Sequence, residues 1–284
     1  MTLARAGYGG TPCSPSDPGR QPPYNQNMFP YRDENETQRT PFVTFIIIAL
    51  NVLVWLLVQG GGSPLPLAES VCNLGLIPGE LTLSVPPGTG MEMGRGLVCL
   101  TDPGRQVSNL LSSMFLHGSW MHLLGNMWFF WLFGNNIEDS MGRGRFVVFY
   151  LVCGLLAALA QVLLNPASIV PMVGASGAIS GVMGAYLVLY PRVRVFTLVP
   201  LGFFLTTIAL PAWLMLVYWM AIQFFGGLQS IGAAGGVAFW AHIGGFIAGM
   251  VLIKLFSRRD YLEEHRSHHW HPQRIGWNRS RWDT

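Results

Sequence analysis

Between Arg145 and Arg192 the chain has no Asp, Glu, Lys or Arg. Few folds can hold such a stretch. A helix that crosses a bilayer needs about 20 mostly apolar residues, and this stretch accommodates two, over 146–164 and 170–190. Four further segments qualify or nearly do: 42–58, about 112–133, a helix within 195–225, and about 237–256. The 195–225 run is too long for one helix. Pro211 marks where its helix starts, because proline breaks a helix interior but is tolerated in a first turn. Residues 195–210 are then expected to lie along the membrane surface.

Composition agrees. Charged residues are 11% of the chain and hydrophobic ones 51%, whereas soluble domains carry roughly a quarter charged residues. The expected fold is therefore all-α, a polytopic membrane bundle of six transmembrane helices. A formal net charge of +3 is small and says little by itself; the partners expected are the lipid bilayer and other membrane proteins, with no nucleic acid. Residues 1–40, polar and rich in Pro, Gly and Asn, read as a disordered tail. The helical domain covers 41–257 and a basic, His-rich tail covers 258–284.

Charge distribution sets the orientation. With both termini cytoplasmic, all Lys and Arg except Arg95 and Arg105 fall in inner segments, as the positive-inside rule requires. The connection 60–111 then lies outside; such length signals function or membrane contact rather than a simple turn. It holds Cys72 and Cys99, which are either disulfide-bonded on an oxidising face or two buried thiols. No Cys is in a CxxC or zinc-type spacing.

Polar groups inside the spans are few and expensive, so they are functional candidates by default. The second span carries His122 and Asn126, with His117 before them. The fourth carries Ser176 and Ser180, and the sixth carries His242. Three even-numbered spans start from the same face, which puts these groups at similar depth. His122 and Asn126, four apart, share one helix face. Gly174, Gly177 and Gly181 on one span, and Gly245 and Gly249 on another, permit close backbone approach. Ser176 is either a packing residue in a glycine-rich helix or a nucleophile. A serine hydroxyl attacks only when a base takes its proton, and His242 suits that role. No Asp or Glu lies between Asp139 and Asp260, so a Ser-His dyad is expected rather than a triad. The Ser176 N–H, Asn126 and His122 are candidate oxyanion donors; the alternative for Asn126 and His122 is helix cross-linking. Asn51, Gln161 and Gln223 read as structural hydrogen-bonders. No cofactor or metal is expected: there is no HExxH motif, and the cluster His265, His268, His269 and His271 reads as a solvated tail with Trp270, Trp277 and Trp282 at the lipid interface.

In order along the chain stand His117-x4-His122-x3-Asn126, Glu138-x3-Gly142-x3-Phe146, Gly174-Ala175-Ser176-Gly177 and Ala241-His242-x2-Gly245-x3-Gly249. Together these resemble the rhomboid family of intramembrane serine proteases, over about 42–256. The resemblance implies a rhomboid-like bundle in which Ser176 is the nucleophile and His242 the base. It implies an oxyanion hole of Asn126, His122 and the Ser176 N–H. His117 would anchor the long outer loop, Glu138 and Gly142 would brace the inner turn, residues 226–236 would form a lid, and the fifth span a lateral gate. The implied substrates are transmembrane proteins, in what is expected to be a bacterial plasma membrane. Two features depart from the pattern. Ser180 stands where some members carry an aromatic that stacks on the base, so Trp240 or Phe246 is expected to hold His242 instead. A Trp-Arg pair in the first outer loop is missing. The competing classes are an inactive relative that escorts membrane clients, and a transporter; the latter calls for charged groups along a path, which the core lacks.

Overall fold

The structure is a computed structural model, and it describes residues 3–5, 29–94, 96–201, 204–229 and 237–269. Two short strands, β1 (Leu3–Arg5) and β2 (Phe29–Asp33), precede the first long helix, α1 (Phe42–Leu57). The outer connection holds α2 (Pro64–Leu74), α3 (Pro78–Thr82), β3 (Gly90–Gly94), β4 (Leu97–Leu100) and α4 (Asn109–Ser112). Then come α5 (Trp120–Met141), α6 (Arg143–Leu164) and α7 (Ser176–Leu189). A hairpin of β5 (Arg194–Leu201) and β6 (Phe204–Pro211) leads into α8 (Ala212–Gln229), α9 (Phe239–Phe256) and α10 (Arg259–His269).

Local chemistry explains the helix ends. The Ser119 hydroxyl caps α5 by accepting the His122 N–H at 3.1 Å. Gly142, at φ +83°, ends α5 and opens α6, a conformation that L side chains avoid. At the same end, Glu138 accepts the Val43 N–H (2.9 Å), the Thr44 N–H (2.8 Å) and the Thr44 hydroxyl (2.8 Å). A buried carboxylate thus satisfies the orphan donors at the start of α1 and complements its dipole. The core lies between α5, α6 and α7, where Phe130, Phe133, Phe146, Phe149, Tyr150 and Tyr186 are fully buried. Phe130 stacks on Phe146 at 6.1 Å, and Phe133 meets Tyr186 edge-on at 4.9 Å.

The helices α1, α6 and α9 stand where the apolar runs call for them, and α8 begins directly after Pro211. Helices α6, α8 and α9 are long and apolar enough to cross a membrane, while α1 and α7 are apolar but shorter. Outward faces are apolar: Leu57, Leu163 and Leu255 are each at least 75% exposed. That suits lipid rather than water.

Several expectations are corrected. The run 112–133 is not one helix: α4 and a 3-10 turn over Ser113–Phe115 precede α5, which starts at Trp120 and continues to Met141. The helix expected from 170 starts at Ser176, since Pro171 and Gly174 at φ +130° keep the preceding residues irregular. Residues 195–210 form the β5–β6 hairpin, to which β2 adds a third strand. Branched and aromatic residues such as Val195, Phe196, Thr197 and Ile208 suit a pleated surface, and an apolar run alone does not tell strand from surface segment. Residues 1–40 are not featureless either: β1 pairs with β4 near the disulfide, and β2 pairs with β5 at the opposite end of the bundle. At the carboxy end, α10 packs back rather than trailing into solvent. His265 is buried, with Nε2 at 2.7 Å from Asn35 Oδ1. Residues 270–284, with His271 and the three tryptophans, lie outside the described residues, as does most of the expected lid, 230–236.

In the outer connection, Cys72 and Cys99 form a disulfide, with Cα atoms 5.6 Å apart. It joins α2 to β4 and settles the alternative left open by the sequence.

Candidate active site

The first turns of α5, α7 and α9 meet at one end of the bundle. Ser176 is the first residue of α7, His242 the fourth of α9, and His122 and Asn126 lie in the first two turns of α5. What holds α7 against α9 is glycine. A Cβ at Gly245 would collide with the Gly177 carbonyl, and one at Gly249 with the Gly181 carbonyl. The two backbones are in contact with no side chain between them. That leaves His242 Nε2 at 2.7 Å from Ser176 Oγ.

Ser176 thus stands at a helix start rather than deep inside one, and this matters chemically. The first N–H groups of a helix have no intrahelical partner and carry the positive end of the dipole. A negative charge developing beside Ser176 would face them. On α5, the Asn126 side-chain Nδ2 is buried and has no hydrogen-bond partner. His122 Nδ1 accepts the Gly118 N–H at 3.3 Å, so a neutral His122 ring carries its proton on Nε2. That nitrogen points toward Gly174: a Cβ there would stand 2.8 Å from His122 Nε2 and 3.4 Å from Ser176 Oγ. Glycine keeps open the space between donor and hydroxyl. A cavity of about 20 Å³ borders Ser176, lined in part by Ser113, Met114, Gly154 and Met172. It has room for a single water.

His117 is fully buried. Its main-chain N–H and C=O are both held by the Gln59 amide at 2.8 Å, and its ring meets His122 edge-on at 5.1 Å. Gln161 accepts the Ala241 N–H at 3.2 Å, and Asn51 donates to the Ile47 carbonyl at 2.7 Å. Glu138 and Gly142 lie at the far end of α5, away from Ser176.

One residue at the site, Trp219, escaped the sequence reading, and the partner of another, Gln223, was not foreseen. Gln223, read there as structural, places Oε1 at 2.7 Å from His242 Nδ1. Trp219 lies 5.9 Å from the His242 ring and 6.1 Å from Phe246. The ring contact to His242 therefore comes from α8 and not from Trp240 or Phe246. Ser180 turns its hydroxyl back to the Ser176 carbonyl at 2.6 Å. The i, i+4 spacing of Trp219 and Gln223 was available in the sequence, but nothing there gave the rotation of α8.

Fold and site define an integral membrane protein of helical type, with a polar centre built at converging helix starts. The sequence model of the Rhomboid domain matches residues 104–259, more than half of the chain, and the chain belongs to the rhomboid family. Similar curated proteins include "Rhomboid protease GluP" of Bacillus subtilis, 38% identical over 78 residues (28% of this chain, 15% of that protein). "Rhomboid protein 1, mitochondrial" of Saccharomyces cerevisiae is 29% identical over 153 residues (50% and 40%). "RHOMBOID-like protein 1" of Arabidopsis thaliana is 30% identical over 182 residues (64% and 41%). The chain spans less than half the length of these relatives.

Proposed function

We propose that this chain is an intramembrane serine endopeptidase that cleaves transmembrane or juxtamembrane peptide bonds of other membrane proteins with a Ser176–His242 dyad. The observation that carries the reading is the 2.7 Å contact between Ser176 Oγ and His242 Nε2 across a glycine-packed helix pair. In this mechanism His242 Nε2 takes the Ser176 proton as Oγ attacks the scissile carbonyl. The oxyanion is met by the Ser176 N–H, Asn126 Nδ2 and His122 Nε2. The imidazolium then protonates the leaving amine, which departs and leaves an acyl-enzyme on Ser176. His242 next takes a proton from a water that attacks the ester, and the carboxyl product leaves as Ser176 regains its hydrogen.

A substrate helix must unwind to expose a carbonyl, because its own hydrogen bonds shield it. Small residues at the cleavage point and helix-weakening residues beyond it are therefore preferred. Spans α1, α5, α6, α7, α8 and α9 make up the six crossings, and charge asymmetry puts the Ser176 end outside. On this reading, a bacterial plasma membrane hosts a compact bundle of this kind. An inner amino-terminal tail cannot reach β4, so the β1–β4 pair and a cytoplasmic amino terminus exclude each other. Cys72 and Cys99 are bonded and Cys153 is buried, which makes Cys13 the thiol to probe. Impermeant maleimide should label it only after permeabilisation if the tail is inside.

The decisive measurement incubates the protein with a fluorophosphonate and with a model transmembrane substrate. Wild type should be labelled and should cleave, while Ser176→Ala should do neither. Identical behaviour of the two would overturn the protease reading and favour an inactive relative that binds membrane clients.

A further inference from the structure

We propose that Gln223 is a positioning residue for His242, an amide standing where a serine protease usually keeps an acid. This rests on the dyad reading above and deepens it. In a neutral imidazole one nitrogen carries hydrogen and the other a lone pair. The Gln223 side chain presents its carbonyl oxygen to His242 Nδ1 at 2.7 Å, and a carbonyl oxygen only accepts. The ring hydrogen therefore sits on Nδ1, and the lone pair on Nε2 faces the Ser176 hydroxyl, which donates to it at 2.7 Å. Reversing the tautomer would leave two lone pairs opposed at Nδ1 and no acceptor for the serine proton. An acid-free dyad would leave this choice to chance; here the amide makes it.

The surroundings strengthen the assignment. His242 and Gln223 are both buried, so no bulk water competes for Nδ1. No Asp or Glu lies between Asp139 and Asp260 in the sequence, and among the described residues no carboxylate is recorded against His242. Trp219, one turn earlier on the same face of α8, lies 5.9 Å from the ring. One helix thus supplies both a wall for the imidazole and a partner for its far nitrogen. Of the buried residues of α8, namely Ala212, Met215, Leu216, Gln223 and Gly227, only Gln223 has a polar side chain. One turn on, Gly227 lets α8 lie against Trp240 of α9, where a Cβ would stand 3.3 Å from the indole. The seating of α8 on α9 therefore sets the tautomer of the base.

The test uses the full chain and reads the rate of fluorophosphonate labelling against pH, with turnover of a transmembrane substrate alongside. Gln223→Leu should lower labelling and kcat by about 100-fold, the low end of what a general base contributes, with KM little changed. Gln223→Glu, which restores an acceptor, should recover labelling well above Gln223→Leu and move the acid limb of the profile to higher pH, because a carboxylate stabilises the imidazolium. A purely structural glutamine predicts the reverse: a buried charge more harmful than leucine, and an unmoved acid limb in whatever activity survives. Labelling of Gln223→Leu at the wild-type rate overturns the proposal. So does an unmoved acid limb in Gln223→Glu, which serves if the leucine variant does not fold. His242→Ala and Ser176→Ala separate the two levels. If they are inert while Gln223→Leu is normal, only the positioning role fails; if His242→Ala labels normally, the dyad itself fails.

Discussion

The two faces of α9 are built on opposite plans. Toward α7 it meets backbone with backbone: Gly245 and Gly249 face the Gly177 and Gly181 carbonyls, and no side chain could be inserted without moving a helix. Toward α8 it meets side chains, with His242 against Trp219 and Gln223, and Trp219 against Phe246. The first interface fixes a distance, since the position of Ser176 relative to His242 follows from helix packing. The second fixes an orientation, since the tautomer and ring plane of His242 depend on two rotatable groups of a neighbouring helix. Ser176 and His242 are held rigidly together by backbone packing, whereas the orientation of the His242 ring is held by softer side-chain contacts.

That contrast can be broken at either face. The largest effect is expected from Gly249→Leu. Overpacking ordinarily costs about 1–3 kcal/mol, and a clash with backbone belongs at or above the top of that range. Labelling and thermal stability should be lost together, and a thermal melt beside a labelling assay checks this. Asn126→Ala comes next. Removing an oxyanion donor should lower kcat by about 100-fold or more. Because its Nδ2 has no partner in the resting structure, the same change should leave the melting temperature unchanged or raised. A parallel fall in stability would return Asn126 to helix cross-linking. Gly227→Val, on the softer interface, should dissociate the two readouts, with labelling lowered and only a small drop in melting temperature.

Two effects on stability, with the least effect on labelling, lie away from both interfaces. Cys72→Ser opens a link between residues 27 apart and should cost about 2–4 kcal/mol of stability with little change in the labelling rate of folded protein. Asp33, which accepts hydrogen bonds from the Tyr186 hydroxyl at 2.6 Å and Asn136 Nδ2 at 2.9 Å, has its pKa raised by burial to about 6 from 3.8. The folded state then holds the proton more tightly than the unfolded one, so this stabilisation is full below about pH 4 and is lost as pH rises through 6. Asp33→Asn should remove that slope from melting curves recorded between those limits.

Much of this was legible in the chain. The apolar runs gave α1, α6 and α9 nearly to the residue, Pro211 marked the start of α8, and the glycine spacing named the faces that pack. These are local properties: hydropathy, helix breaking, and periodicity along one helix. The motif residues Ser176, His242, His122 and Asn126 were named in advance, and the structure puts His242 in contact with Ser176 and His122 beside the space next to Ser176. The start of α7 was misread, because hydropathy continues through 170–175 while Gly174 turns the backbone there. The β5–β6 hairpin was misread because an apolar run by itself does not tell a strand from a segment lying along the membrane surface.

By itself, then, the sequence determined that this protein is built from apolar helices, which small and polar residues they carry, and that no acid lies between Asp139 and Asp260. Only the tertiary structure decided that Ser176 opens its helix, that Cys72 is bonded to Cys99, and that Gln223 and Trp219 of α8 are the groups that meet His242. The reason is geometric. A residue's face on its own helix follows from a fixed period, but which atom it meets on another helix depends on the rotation, depth and separation of both. Those are set by contacts such as Gly249 against Gly181, far along the chain from the groups they align.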